Sequence, residues 1–139
     1  MPLLRFHFIE GRSADEIGAL LDIAHGALVA AFGVPAEDRY QIATTHPRHE
    51  MVAMDTCLGL ERSDKLVMVE VVSRPRTRTQ KVALYSLLCS RLHRGCGLDR
   101  EDLIVTFIEN SDEDWSFGRG RAQFLTGELG DQGHRNVVT

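Results

Sequence analysis

At 139 residues, 43% of them apolar, the chain is long enough for one domain with a buried core. A net charge of −4 gives no broad basic face for nucleic acid, and no apolar run approaches the length needed to cross a bilayer. The first residues lack the basic start, long apolar centre and small-residue cleavage site of a secretion signal, so a soluble, cytoplasmic protein with neither nucleic-acid nor membrane partners is expected.

Residues 3–9 are apolar and aromatic and read as a strand, broken by Gly11-Arg12. Ser13-Ala14-Asp15-Glu16 has the capping-box pattern, in which a hydroxyl and a carboxylate three residues apart satisfy the free amides of a helix start. Ile17, Leu20, Leu21, Ala24, Leu28 and Ala31 recur at helical spacing, and the stripe should end near Gly33. After a Pro35-led connection, residues 40–45 read as a second strand. Residues 46–65 carry Pro47, Gly59 and mixed charge and read as a crossing connection, with a short strand near 51–54.

The run 66–72 is almost continuously apolar, as in a strand covered on both faces. It meets the turn Ser73-Arg74-Pro75-Arg76, where two guanidiniums flank a proline that stiffens the backbone. Held at a strand-to-helix turn, they form a fork suited to a carboxylate or phosphate. Thr77-Arg78-Thr79-Gln80 is a second capping box, Leu84, Leu87, Leu88 and Leu92 form a second stripe, Gly95 and Gly97 close it, and residues 103–108 supply a fourth strand.

The two halves repeat with a constant offset of 64 residues. It pairs Ser13 with Thr77, Leu20 with Leu84, Gly33 with Gly97, Asp38 with Asp102 and Arg12 with Arg76. A duplicated β-α-β unit follows, and right-handed crossovers place both helices on one face of a four-stranded mixed sheet. The uncovered face of an apolar strand predicts an oligomer, a ring of subunits in which a C-terminal arm can reach a neighbour. Glu10 stands where the repeat would place a mate for Arg74, so Arg12 reads as surface decoration and only the second half carries the fork.

At the other end of the sequence Pro2 follows Met1, and removal of Met1 would leave a secondary amine at the chain start. The topology permits that amine and the arginine pair to share one end of the sheet. Cys57, Cys89 and Cys96 are odd in number without paired close spacing and read as reduced thiols. The His46/His49 H-x-x-H has no nearby cysteine or carboxylate cluster to complete a metal site.

Pro2, the duplicated unit, Asp38-Arg39-Tyr40-Gln41, Ser73-Arg74-Pro75-Arg76, Asp114-Trp115-Ser116-Phe117-Gly118 and Ala122-Gln123-Phe124-Leu125-Thr126-Gly127-Glu128-Leu129 together resemble the tautomerase superfamily, most closely its malonate semialdehyde decarboxylase branch. The likeness implies an α/β (α+β) tautomerase-like homotrimer of one domain over 1–129, with halves at about 2–54 and 66–109, an arm at 110–129, and a polar tail at 130–139. It implies Pro2, Asp38, Arg74 and Arg76 as catalytic residues. Arg74 and Arg76, with Trp115, Phe117, Phe124 and Leu129 as an apolar wall, would bind a small carboxylate substrate. The implied reaction is loss of CO2 from malonate semialdehyde without metal or organic cofactor. Hydration or dehalogenation of a haloacrylate, proton shift in a 2-oxo acid, and a non-enzymatic trimeric binding module are the alternatives. Tyr40 either orients a water or packs as strand filler.

Overall fold

The computed structural model describes residues 1–129; the expected polar tail at 130–139 lies outside the described residues. The chain runs β1 (Leu3–Ile9), α1 (Ala14–Phe32), β2 (Tyr40–His46), β3 (Val67–Ser73), α2 (Arg78–Cys96), β4 (Leu103–Glu109) and a short α3 (Gln123–Thr126). The strands form one sheet in the order β2-β1-β3-β4. β1 and β2 are parallel, as are β3 and β4, and the two halves join antiparallel through β1 and β3. Among the described residues no helix is long and apolar enough to cross a membrane.

Both helices begin as their sequences dictate. Ser13 accepts from Glu16 N while Glu16 reaches back to Ser13 N, and Thr77 and Gln80 repeat that exchange. Gly33 and Gly97 end the helices in left-handed conformation, at φ 66° and 68°, which a side chain would strain. Gly95 does not close α2. It lies inside the last turn, where its missing Cβ leaves room for the Ile23 side chain of α1.

The core lies between the helices and one sheet face. Leu4, Phe6 and Phe8 of β1 and Val67, Val69 and Val71 of β3 meet Leu20, Ala24 and Leu28 of α1 and Leu84, Leu88 and Leu92 of α2. Among the described residues the other face carries no helix, so within this chain β3 is covered on one side only. Its burial alternates, with Met68, Glu70 and Val72 half-buried on the bare face. A polar row crosses the middle of that face: His7 contacts Glu70 at 2.6 Å and His46 at 2.9 Å. His46 thus belongs to the sheet face, whereas His49 stands exposed, and among the described residues no cluster of potential metal ligands forms.

The short strand expected at 51–54 does not form. A single 3₁₀ turn at Arg48–Glu50 gives way to irregular chain in which Val52 and Met54 are exposed. β2 and β4 are the edge strands of the sheet, and this segment pairs with neither. Its far end is anchored to the second half: Asp102 accepts from Ser63 N and Ser63 Oγ, and Arg62 donates to the Glu101 carbonyl.

Candidate active site

The register fixes what meets at one end of the sheet. Leu3 opens β1 opposite both Tyr40, the first residue of β2, and Val72, near the end of β3. One residue before β1 is buried Pro2; just before β2 is Asp38; just after β3 are Arg74 and Arg76. The juxtaposition expected from topology is therefore present, and it needs no neighbouring chain.

Burial gives this cluster its chemistry. Arg74 is 0% exposed, Arg76 7% and Asp38 8%, although all three follow strands or turns where charges are ordinarily solvated. Arg74 Nη1 donates to Asp112 Oδ1 at 2.8 Å, and its guanidinium lies over the Phe124 ring. Arg76 Nε donates to Ser73 Oγ at 3.3 Å, and its guanidinium covers the Phe32 ring at 4.7 Å. Among the described residues, Nη1 and Nη2 of Arg76 and Oδ2 of Asp38 have no hydrogen-bond partner. Burial, then Arg74, lowers the Arg76 pKa to about 10, against the pull of Asp38, so the group remains a cation at neutral pH.

The turn bearing Asp38 is tied to α1. His25 Nε2 donates to the Ala36 carbonyl at 2.7 Å, Arg39 reaches Asp22, and Gln41 donates to the Leu21 carbonyl. Burial raises the Asp38 pKa, while the terminal amine, Arg76 and Arg74 lower it. Met1 itself sits in the cluster, 3% exposed. Its amine falls from 8.0 to about 5, first through burial, then through Arg76 and Arg74, with Asp38 and Asp112 opposing.

The arm after β4 builds one wall. Trp115 stacks on Phe117 at 5.4 Å between ring centroids, and Phe117 meets Phe124 edge-on at 5.4 Å and Tyr40 at 5.6 Å. Trp115 Nε1 donates to Asn110 Oδ1, and Gln123 clamps the turn by accepting from Phe117 N and donating to the Gly118 carbonyl. Tyr40 is part of this ring stack. Leu129, the last described residue, is half-buried. The arm expected to reach a neighbour packs here on its own chain's Arg74.

Pro2, Asp38, Arg74, Arg76, Trp115, Phe117 and Phe124 thus gather at one pole. Sequence reasoning missed Met1 as an occupant, Asp112 as the partner of Arg74, and Phe32 as the ring beneath Arg76. Phe32 was findable, since it falls in the last turn of the α1 stripe. Asp112 carried no signal beyond a turn-forming Ser111.

A family model described as tautomerase enzyme matches residues 38–118. The chain belongs to the tautomerase family. It is 50% identical over 129 residues to the probable tautomerase YrdN of Bacillus subtilis (strain 168), covering 93% of this chain and 100% of that protein. The structure of a malonate semialdehyde decarboxylase, described as a basis for decarboxylase and hydratase activities, superposes with a TM-score of 0.90 at 56% identity, covering 91% of this chain and 98% of the other. FG41 malonate semialdehyde decarboxylase inhibited by 3-bromopropiolate gives 0.88 at 36% identity, covering 92% and 98%. A fused 4-OT symmetric trimer, at 21% identity and a TM-score of 0.73 over 90% and 98%, shares the fold.

Proposed function

We propose that this tautomerase-family chain decarboxylates malonate semialdehyde (3-oxopropanoate) to acetaldehyde and CO2, using no metal or organic cofactor. The observation that carries the reading is the convergence of the chain start, Asp38 and the buried Arg74–Arg76 pair beside an aromatic wall. The likeness at 56% and 36% identity to two malonate semialdehyde decarboxylases supports it.

In this scheme Met1 is removed and Pro2 presents a secondary amine. Arg74 and Arg76 bind the substrate carboxylate, with Arg76 offering the Nη groups that have no partner among the described residues. A bound carboxylate offsets the field of the two guanidiniums, leaving Asp38 to favour the cationic form of the amine. Cationic Pro2 then donates to the carbonyl oxygen. The bond between the α-carbon and the carboxyl carbon breaks and CO2 leaves, its electron pair forms the enol with the Pro2 proton on oxygen, and a solvent proton then adds to the α-carbon as the enol proton returns to Pro2, giving acetaldehyde. Holding the carboxylate out of the carbonyl plane aligns the breaking bond with the acceptor orbital. The rings of Trp115, Phe117 and Phe124 exclude water, which favours the charge-dispersed transition state over the localised carboxylate. Leu129 completes this wall in the proposal.

A second reading, hydration of an unsaturated acid, is favoured by Asp38 Oδ2, a buried acceptor with no partner among the described residues that can orient a water. Incubation with malonate semialdehyde, 3-haloacrylate and a 2-oxo acid, followed by acetaldehyde, halide and enol signals, separates the reactions. Acetaldehyde is the expected product; hydration without acetaldehyde overturns the decarboxylase assignment. Intact mass tests the non-enzymatic alternative, because a mature chain retaining Met1 has no proline amine.

The working unit we propose is a homotrimer, with the helix-free face directed inward. Exposed Tyr40, Ile42 and Ile108 on that face support it. We place the protein in the cytoplasm, where its three unpaired cysteines stay reduced.

A further inference from the structure

The 64-residue repeat relates the arginine pole to the opposite end of the sheet. There β1 ends and β3 begins, as β3 ends and β1 begins at the first pole. The offset carries Arg76 to Arg12, Phe32 to Cys96, Asp38 to Asp102 and Met1 to Lys65. Arg12 is not the surface decoration its sequence suggested. Its Nη2 donates to the Lys65 carbonyl at 2.6 Å and its guanidinium covers the Phe8 ring at 5.2 Å, as Arg76 covers Phe32. Its Nη1 is buried with no hydrogen-bond partner among the described residues.

A cavity of about 320 Å³ opens at this pole, lined by Arg12, Lys65, Glu16, Cys96, Leu20 and Leu98. Its charges are unequal in availability. The Glu16 carboxylate accepts from Ser13 N in the α1 cap, and Asp102, the nearby acid, is held by Ser63. Both acids keep their charge and act on Arg12, Glu16 on Lys65 as well, and among the lining residues the cations Arg12 and Lys65 outnumber the single carboxylate of Glu16. The pole lacks what chemistry would require: Glu10 replaces the mate of Arg74, and the repeat mate of Pro2 is Leu66, whose N–H is bonded to the Ser63 carbonyl within the chain.

We propose that this second pole is a binding site, without catalysis, for a small carboxylate-bearing molecule held by Lys65 and the charge of the Arg12 guanidinium over the apolar floor of Leu20 and Leu98. It does not depend on the decarboxylase reading.

Cys96 on the cavity wall makes the site testable without turnover. A thiolate displaces iodide from either iodoacetate, itself a small carboxylate, or neutral iodoacetamide, giving a thioether in both cases. The ratio of the two rates at one cysteine cancels its thiolate fraction. Peptide mapping of the full chain should give a ratio at Cys96 about tenfold above that at exposed Cys57, the worth of one charge-assisted hydrogen bond. Malonate should slow iodoacetate at Cys96 but not at Cys57. Arg12→Gln and Lys65→Gln should each bring the ratio toward the Cys57 value; Lys65, on the exposed surface, serves if the Arg12 variant folds poorly. Equal ratios at Cys96 and Cys57, or protection by phosphate and not by malonate, would overturn the proposal.

Discussion

The guanidinium carbon of Arg74 lies 3.8 Å from the centre of the Phe124 ring while its Nη1 bonds Asp112. Arg74 is thereby fixed from two sides, whereas the Nη groups of Arg76 have no partner among the described residues. The two should respond differently to substitution. Arg76→Ala is expected to raise KM by about 30- to 300-fold, the loss of a charge-assisted contact, and Arg76→Lys to recover little because an ammonium lacks the planar fork. Arg74→Ala should lower kcat as well, since it also releases Asp112 and Phe124. Steady-state kinetics on malonate semialdehyde checks both.

Phe117 is the ring that Trp115, Phe124 and Tyr40 share. Phe117→Ala should lower stability by about 1–3 kcal/mol and kcat/KM by about 10- to 100-fold, as water enters beside Arg74. Phe117→Leu, which keeps the bulk, should regain most of the stability. Urea unfolding and kinetics on the same samples separate the two effects.

The terminal amine sets a pH signature. With Met1 present, burial and then Arg76 and Arg74 lower its pKa from 8.0 to about 5. Between those values the unfolded chain holds a proton that the folded chain does not, so stability rises with pH across the window and is lost as pH falls toward 5. The full effect is on the order of a few kcal/mol. Asp38, whose pKa is raised chiefly by burial, acts in the opposite sense nearer the ordinary carboxylate range, so the scan is best kept above pH 5.5. Urea midpoints at pH 5.5 and 8 should differ for Met1-retaining chains and converge when the amine is acetylated.

The paired caps offer an internal control. Ser13→Ala and Thr77→Ala each remove one capping box and should each cost about 1 kcal/mol of stability. Thr77 follows Arg76 directly, so its loss should also raise KM, whereas Ser13→Ala should leave kinetics unchanged. Equal kinetic losses in both would show that the turn after β3 is not specially sensitive.

The bare sheet face predicts an assembly defect. Ile42→Glu places a carboxylate on exposed β2 surface and should shift the proposed trimer to monomer in sedimentation velocity, while far-UV dichroism stays unchanged.

Much of this was legible because the chain states its architecture twice. The capping boxes, helical stripes and glycine stops recur 64 residues apart, and right-handed crossovers then leave one sheet arrangement. That topology permitted the arginine pair and the chain start to share one end of the sheet, and the strand register brings them there. Residues 51–54 were misread because Val52 and Met54 alternate like a strand, yet the segment joins neither edge of the sheet and leaves both side chains exposed. Arg12 was misjudged because its burial depends on Phe8 and the Lys65 carbonyl, contacts made only after the halves pack. Nothing beside Asp102 in the sequence marks it for burial, because its partner Ser63 lies 39 positions away.

The burial of Met1 has a practical corollary. An affinity handle joined ahead of it must thread outward past the charges of Arg74, Arg76 and Asp38, and on the proposed chemistry it would leave the proline nitrogen locked in an amide. Such a preparation would fold, purify and stay silent. Activity screens relying on front-end fusions would therefore score this chain as inert, and handles belong at its carboxyl end.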